Sequence, residues 1–357
     1  MINVLHICNE YPFSGGLELL KIISKYSPLE FKHYAIAFRD LNGLFRPILE
    51  ENNITCLDST SEDYPNLEEV IKKYNINVCH KQTGGGDCPD YVYRLKKIGV
   101  PLIETIHCPR KSAIPLDHVN RITYTTYHTL EQNPEDYQKR MTSIQYAVDL
   151  EKPFYKIGEK KFFNKTPLIV GRMARIVPEK RHDVVLDIAR MAWSLYREKI
   201  QFYIAGVINP EIEYSIEYGK NLIAEIDKIP NIHYLGKIDN KYDFYHSLDV
   251  CLHPIWGTSF DIPFLEAMAC GIPILTYDNS AAKYVVRDAG IVTKESLDSL
   301  YNGLKTLYSD VSLREKLGNK GIEYINTIYN KDVWVNSNLD MYKEVLANKE
   351  YLDVRKV

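Results

Sequence analysis

Short apolar runs alternate with amphipathic stretches along most of this chain, and that rhythm limits the fold more than any other feature of the sequence. Residues 3–8 (NVLHIC) are apolar enough for a buried strand, and residues 17–23 (LELLKII) then show helical periodicity. Strand signals follow at 33–38, 76–80 and 100–107, with helix signals at 66–74 and 91–98. Two further strands, 121–124 and 143–146, close this first series. Strands separated by helices pair in parallel, and the resulting sheet is covered on both faces. Such sheets bind ligands beyond the C-terminal ends of their strands.

A second series begins after a polar linker at 156–161. Strands are expected at 167–171, 201–206, 231–236 and 251–253, with helices at 181–195, 212–228, 279–286, 297–307, 313–324 and 333–346. The expected class is therefore α/β with two Rossmann-like domains. The expected boundaries are 1–155 and 160–330, with a C-terminal helix at about 331–357 packing back on the first domain. A length of 357 residues suits two domains, and 45% apolar residues suffice for two cores.

Charge excludes some partners. The chain has 44 lysines and arginines against 47 acidic residues, a net charge of −3, and neither half is basic. That composition argues against a nucleic-acid protein and gives no support for strong attraction to anionic lipid. No run approaches the roughly 18 apolar residues of a membrane span. The first residues read as a strand rather than a signal peptide. Seven scattered cysteines without a Cys-x-x-Cys pair suit reduced thiols in a cytoplasmic protein, peripheral at a membrane at most.

The chemistry concentrates in residues 251–276, CLHPIWGTSFDIPFLEAMACGIPILT. An apolar strand ends at His253-Pro254, and a loop with Gly257, Thr258 and Ser259 follows. Pro263 then opens a helix that stops at Gly271. Proline suits a helix's first turn and glycine suits the residue past its end. Free N–H groups at such a helix start can bind an anion. Glu266 lies in the first turns of the helix. A second cationic stretch, Arg172 to Lys180, runs from a strand end into the helix at 181. Two cations beside a helix start suit a group that gains negative charge. Gly15-Gly16, between the first strand and its helix, let a backbone approach a ligand closely.

These motifs resemble retaining glycosyltransferases of family 4 (glycosyl transferases group 1), which have the GT-B fold: two Rossmann-like domains facing across a cleft. His253-Pro254, Phe260, Ile262-Pro263, Leu265-Glu266-Ala267-Met268-Ala269 and Gly271-Ile272-Pro273 match that family's pattern in order and spacing. Pro12 to Glu18 resembles its Pro-x-x-Gly-Gly-x-Glu segment, Thr105-x-His107 its strand-end histidine, and Tyr146-Ala147-Val148-Asp149 its Asn-Gly-Val-Asp segment. Two departures stand out. The first of the family's two glutamates falls on Thr258, and a glycine falls on Asp261.

The resemblance implies transfer of a sugar from a UDP- or GDP-linked donor to an acceptor hydroxyl on a glycan, glycolipid or small molecule. It implies His107, Arg172, Lys180 and Glu266 as catalytic residues. It implies donor contacts from Gly15, Gly16, Arg175, Thr258, Ser259, Phe260, Asp261, Ile262 and Glu266. His107 would contact the donor sugar, Glu266 the ribose, and Lys180 with Arg172 or Arg175 the diphosphate. Asp261 reads either as the missing sugar-binding carboxylate or as a solvated residue favoured by the helix start. No cofactor and no metal are expected, because no Asp-x-Asp motif or His/Cys cluster is present to hold a divalent ion. The alternatives are a non-catalytic nucleotide-sugar-binding or scaffold protein, suggested by Thr258, and a GT-B nucleotide-sugar epimerase.

Overall fold

The protein is described by a computed structural model covering residues 1–8, 15–37, 45–61, 63–82, 86–107, 110–149, 166–208, 213–255, 261–278 and 281–348. The chain divides into two units: Met1–Asp149 with Ile328–Val357, and Leu150–Thr327.

The first unit holds seven strands: β1 (Ile2–Ile7), β2 (Phe31–Ala37), β3 (Thr55–Asp58), β4 (Val78–Lys81), β5 (Leu102–Ile106), β6 (Arg121–Tyr124) and β7 (Met141–Ser143). They pair in parallel in the order β3-β2-β1-β4-β5-β6-β7. β4 and β5 are buried at every position, and their charged residues, Lys81 and Glu104, pair with each other at 3.0 Å. Leu5, Ile7, Ile36, Cys79, Leu102, Ile106 and Ile122 share one core.

The helix Lys331–Ala347 also belongs to this unit. Asn330 caps its start by accepting from the Asp332 N–H. Tyr342, fully buried, reaches His80 Nδ1 at 2.8 Å, and Lys343 pairs with Glu30 at 2.8 Å.

The second unit holds six parallel strands: β8 (Leu168–Met173), β9 (Ile200–Ala205), β10 (Ile232–Gly236), β11 (Val250–Leu252), β12 (Ile274–Tyr277) and β13 (Gly290–Thr293). Their order is β10-β9-β8-β11-β12-β13. Leu168, Val170, Ile188, Phe202, Ile204, Val250, Leu252 and Leu304 form its core.

Several elements differ from the sequence expectation. The strand expected at 143–146 is found at Met141–Ser143. The Ile144 N–H still bonds to the Tyr124 carbonyl at 3.0 Å, but Ile144, Tyr146 and Ala147 are buried without continuing the ladder. The helix expected at 212–228 spans Glu213–Ile226, and the one at 279–286 is described over Ala282–Val286. β3, β13 and the helix Lys241–Ser247 had no counterpart in the sequence reading.

Candidate functional site

In the second sheet β8 and β11 are neighbours, yet the chain leaves β8 towards β9 and leaves β11 towards β12. The strand order reverses between them, and a ligand crevice opens beyond the strand ends at such a point. The two cationic and acidic stretches of the sequence follow these two strands. Their approach depends on Gly171: a Cβ there would lie 2.3 Å from Leu248 Cδ2.

Arg172, at the end of β8, is fully buried. Its Nη1 donates to the Pro254 carbonyl at 3.0 Å and its Nη2 to the Lys180 carbonyl. Burial lowers the guanidinium to about 10, against the opposing field of Asp261. With both terminal nitrogens on carbonyls, Arg172 braces the two loops against each other. Arg175 is exposed, and its carbonyl accepts from His182 Nε2 at 2.9 Å.

Lys180 closes a 3-10 turn, Pro178–Lys180, and extends its ammonium to Asp261 Oδ2 at 2.8 Å. His253 Nε2 lies 2.8 Å from the same oxygen. Asp261 therefore receives two donors on one atom, and its side chain is only 13% exposed. Burial alone would raise its pKa. The hydrogen bond from His253 and the charges nearby overcome this and hold the carboxyl well below the usual range. His253, fully buried, is itself lowered to about 4 by burial and by Arg172, so it is neutral and donates from Nε2. The solvated reading of Asp261 is thus corrected. The carboxylate is inside, and it does not cap the helix that follows.

That helix, Ile262–Ala269, starts with Ile262 half-buried and is buried from Phe264 onwards. It ends at Gly271, whose φ of +68° is the left-handed conformation that favours glycine. Glu266 is 6% exposed. Its Oε1 accepts from Lys241 Nζ at 2.5 Å and its Oε2 from Tyr245 OH at 3.0 Å. Both donors sit on the helix Lys241–Ser247, four residues apart and so on one face. Thr258, Ser259 and Phe260 lie outside the described residues.

The first unit carries the remaining candidates. Gly15 and Gly16 open the helix Gly15–Tyr26 that follows β1. His107 follows β5. Its Nε2 lies 3.1 Å from Gln82 Oε1, and its Nδ1 meets the Tyr146 hydroxyl. Burial and the charge of Lys81 lower it to about 4, so it is neutral. Because Gln82 Oε1 only accepts, Nε2 carries the proton and Tyr146 donates to Nδ1. Gln82 Nε2 continues to His6 Nδ1 at 3.3 Å, and His6 Nε2 to His33 Nδ1 at 3.1 Å. His80 Nε2 lies 2.6 Å from Thr105 Oγ1. Beneath the strand ends lies a layer of buried, neutral histidines with fixed tautomers. Among the described residues no group of three or more His, Cys, Asp or Glu could hold a metal ion.

Residues 155–324 match the family described as Glycosyl transferases group 1. That match covers just under half of the chain. It is similar to the capsular polysaccharide biosynthesis glycosyltransferase CapM of Staphylococcus aureus, with 23% identity over 56% of this chain and 51% of CapM. The chain spans about half the length of the curated relatives it matches. A solved glycosyltransferase from Rickettsia africae ESF-5 shares the fold, with a TM-score of 0.77 and 17% identity over 97% of this chain and 99% of that one. Anabaena Alr3699/HepE, solved in complex with UDP-glucose, does so with a TM-score of 0.70 and 12% identity over 96% and 100%. Two parallel sheets with these neighbours are the GT-B fold.

The sequence reading overlooked Lys241 and Tyr245 as partners of Glu266, and His253 as a partner of Asp261. Lys241 and Tyr245 carried one signal, Asn240 with Asp243 three residues on. The Asn240 side chain accepts from the N–H groups of Tyr242 and Asp243 and so starts their helix. His253 was visible in the motif but gave no sign of its partner.

Proposed function

We propose that this chain transfers a sugar, with retention, from a UDP- or GDP-linked donor to an acceptor hydroxyl in polysaccharide, glycan or glycolipid synthesis. The observation that carries this reading is the convergence of Lys180, Asp261 and Glu266 where the second sheet reverses its strand order. In this reading Glu266 accepts from the ribose hydroxyls, while Lys180 and Arg175 face the diphosphate. The acceptor attacks on the leaving group's face, and the departing diphosphate takes its proton. The residues of 1–155 serve the acceptor, with His107 as a neutral contact to the donor sugar. Similarity to a capsular polysaccharide enzyme supports a glycan or lipid-linked acceptor. Among the described residues no helix is long and apolar enough to cross a membrane. In this reading, contact with a lipid-linked acceptor is peripheral, from the cytoplasmic side.

The test is a panel of UDP- and GDP-sugars scored for protection against thermal unfolding, followed by transfer assays with the donors that bind. Donor-dependent product is the expected result. Binding without transfer across donors and acceptors would identify a non-catalytic binder, the reading that Thr258 motivates. Conversion of the donor without an acceptor would identify an epimerase.

A further inference from the structure

Lys180 is already committed to an anion before any donor arrives. Its ammonium lies 2.8 Å from Asp261 Oδ2, and both side chains are largely withdrawn from water, at 15% and 13% exposure. Lysine is a point charge on a flexible stem, so it can swing between two anions where an arginine fork would be fixed. The carboxylate is also held independently. His253 donates to the same Oδ2 at 2.8 Å from a fully buried position. Removing Lys180 from Asp261 therefore leaves the carboxylate bonded, which avoids the large cost of stranding a buried charge. Asp261 directly precedes the helix Ile262–Ala269 yet does not cap it. Its geometry serves the lysine instead.

We propose that Asp261 is an internal anion competing with the donor's diphosphate for Lys180, with His253 retaining the carboxylate once the lysine has left. This rests on the reading above that the second unit binds a nucleoside diphosphate sugar. Donor binding then exchanges one ion pair for another instead of creating one. Affinity for the nucleotide is set below what Lys180 would give alone. The hold on the nucleoside diphosphate product is weakened by the same amount. Asp261 acts through Lys180 and is a positioning residue, not a catalytic one.

The experiment is calorimetric titration of the full chain with UDP and, separately, with GDP. The proteins are the wild type, Asp261→Asn, Lys180→Ala and the double variant. Asp261→Asn is expected to tighten the bound nucleotide on the order of tenfold, the scale of one charge-assisted hydrogen bond. Lys180→Ala is expected to weaken it, and Asp261→Asn is expected to add nothing in that background. A purely structural role for Asp261 predicts loss of affinity instead. Asp261→Gly removes the carboxylate without leaving an amide and carries the same expectation should Asp261→Asn not fold. Asp261→Glu keeps the charge and should stay near the wild type. Unchanged or weaker binding in the folded Asp261→Asn or Asp261→Gly variant overturns the proposal. So does a gain that persists without Lys180, because that would be a general field effect. A wild type that binds neither nucleotide overturns the functional reading itself; a wild type that binds, with no gain in the Asp261 variants, overturns only the competition.

Discussion

Lys241 Nζ stands 2.5 Å from Glu266 Oε1, so the carboxylate assigned to the ribose is paired and aimed before any ligand is present. Tyr245 takes the other oxygen at 3.0 Å from a fully buried position. Preformed donors of this kind lower the ordering cost of binding, because Glu266 loses little rotamer freedom when a nucleotide arrives.

The first prediction concerns Glu266. Glu266→Gln is expected to keep the fold and to weaken UDP or GDP binding by ~1.5–3 kcal/mol, the range of a hydrogen bond to a charged group. Calorimetric titration measures this, with circular dichroism as the check on folding. Unchanged affinity in a folded variant would remove Glu266 from the site.

Chelation gives a second prediction. Lys180 and Arg175 are assigned the countercharge that a divalent ion supplies elsewhere, so sugar transfer is expected to survive excess EDTA. Activity lost on chelation and restored by magnesium or manganese would show that these cations are insufficient.

A third prediction follows from the histidine layer. Burial lowers His33 to about 4 and His80 to about 3, and it pushes His6 well below its ordinary value. An unfolded histidine titrates near ~6.5. Between these values the unfolded chain binds more protons than the folded one, so stability rises with pH. The contribution is complete above about pH 6.5 and is lost as pH falls towards 4, at up to ~1.4 kcal/mol per pH unit for each histidine. Urea unfolding of the first unit's signal at pH 7.5, 6 and 5 should show a falling midpoint. A midpoint that does not move over that window would mean that the histidines are not held neutral.

Packing supplies a fourth. Gly171→Ala places a methyl group 2.3 Å from Leu248 Cδ2 and is expected to destabilise the second unit by ~1–3 kcal/mol. Pairing it with Leu248→Ala should return part of the loss specific to the clash. Thermal unfolding of the single and double variants measures both, and additive losses would rule out the contact.

Legibility in the sequence followed burial. Strands β4, β5, β8 and β9 announced themselves because each carries a largely buried apolar run: Val78-Cys79, Leu102-Ile103, Leu168-Ile169-Val170 and Phe202-Tyr203-Ile204. The strands overlooked or misplaced, β3, β13 and β7, all lie at sheet edges, where short and partly polar segments suffice. The helix Lys241–Ser247 was hidden by Tyr242, Phe244, Tyr245 and His246, residues of modest helix propensity. Position in the site was less readable than fold. Arg172 and Arg175 are equally cationic as letters; only burial separates the brace from the exposed side chain. The pairing of Lys180 with Asp261 spans 81 positions and has no local signature.

The grouping of Ile328–Val357 with Met1–Asp149 sets an order of assembly. A chain leaving the ribosome ordinarily completes its earliest domain first. Here the hydroxyl that satisfies His80, from Tyr342, is synthesised after every residue of Leu150–Thr327. The later-made unit is thus the first that can finish, while the earlier one waits for the partner of His80. Trimming the chain after Thr327 is accordingly expected to expose the histidine layer of the amino-terminal half and to spare the unit that carries the cut. Amide hydrogen exchange on the trimmed protein would locate the damage.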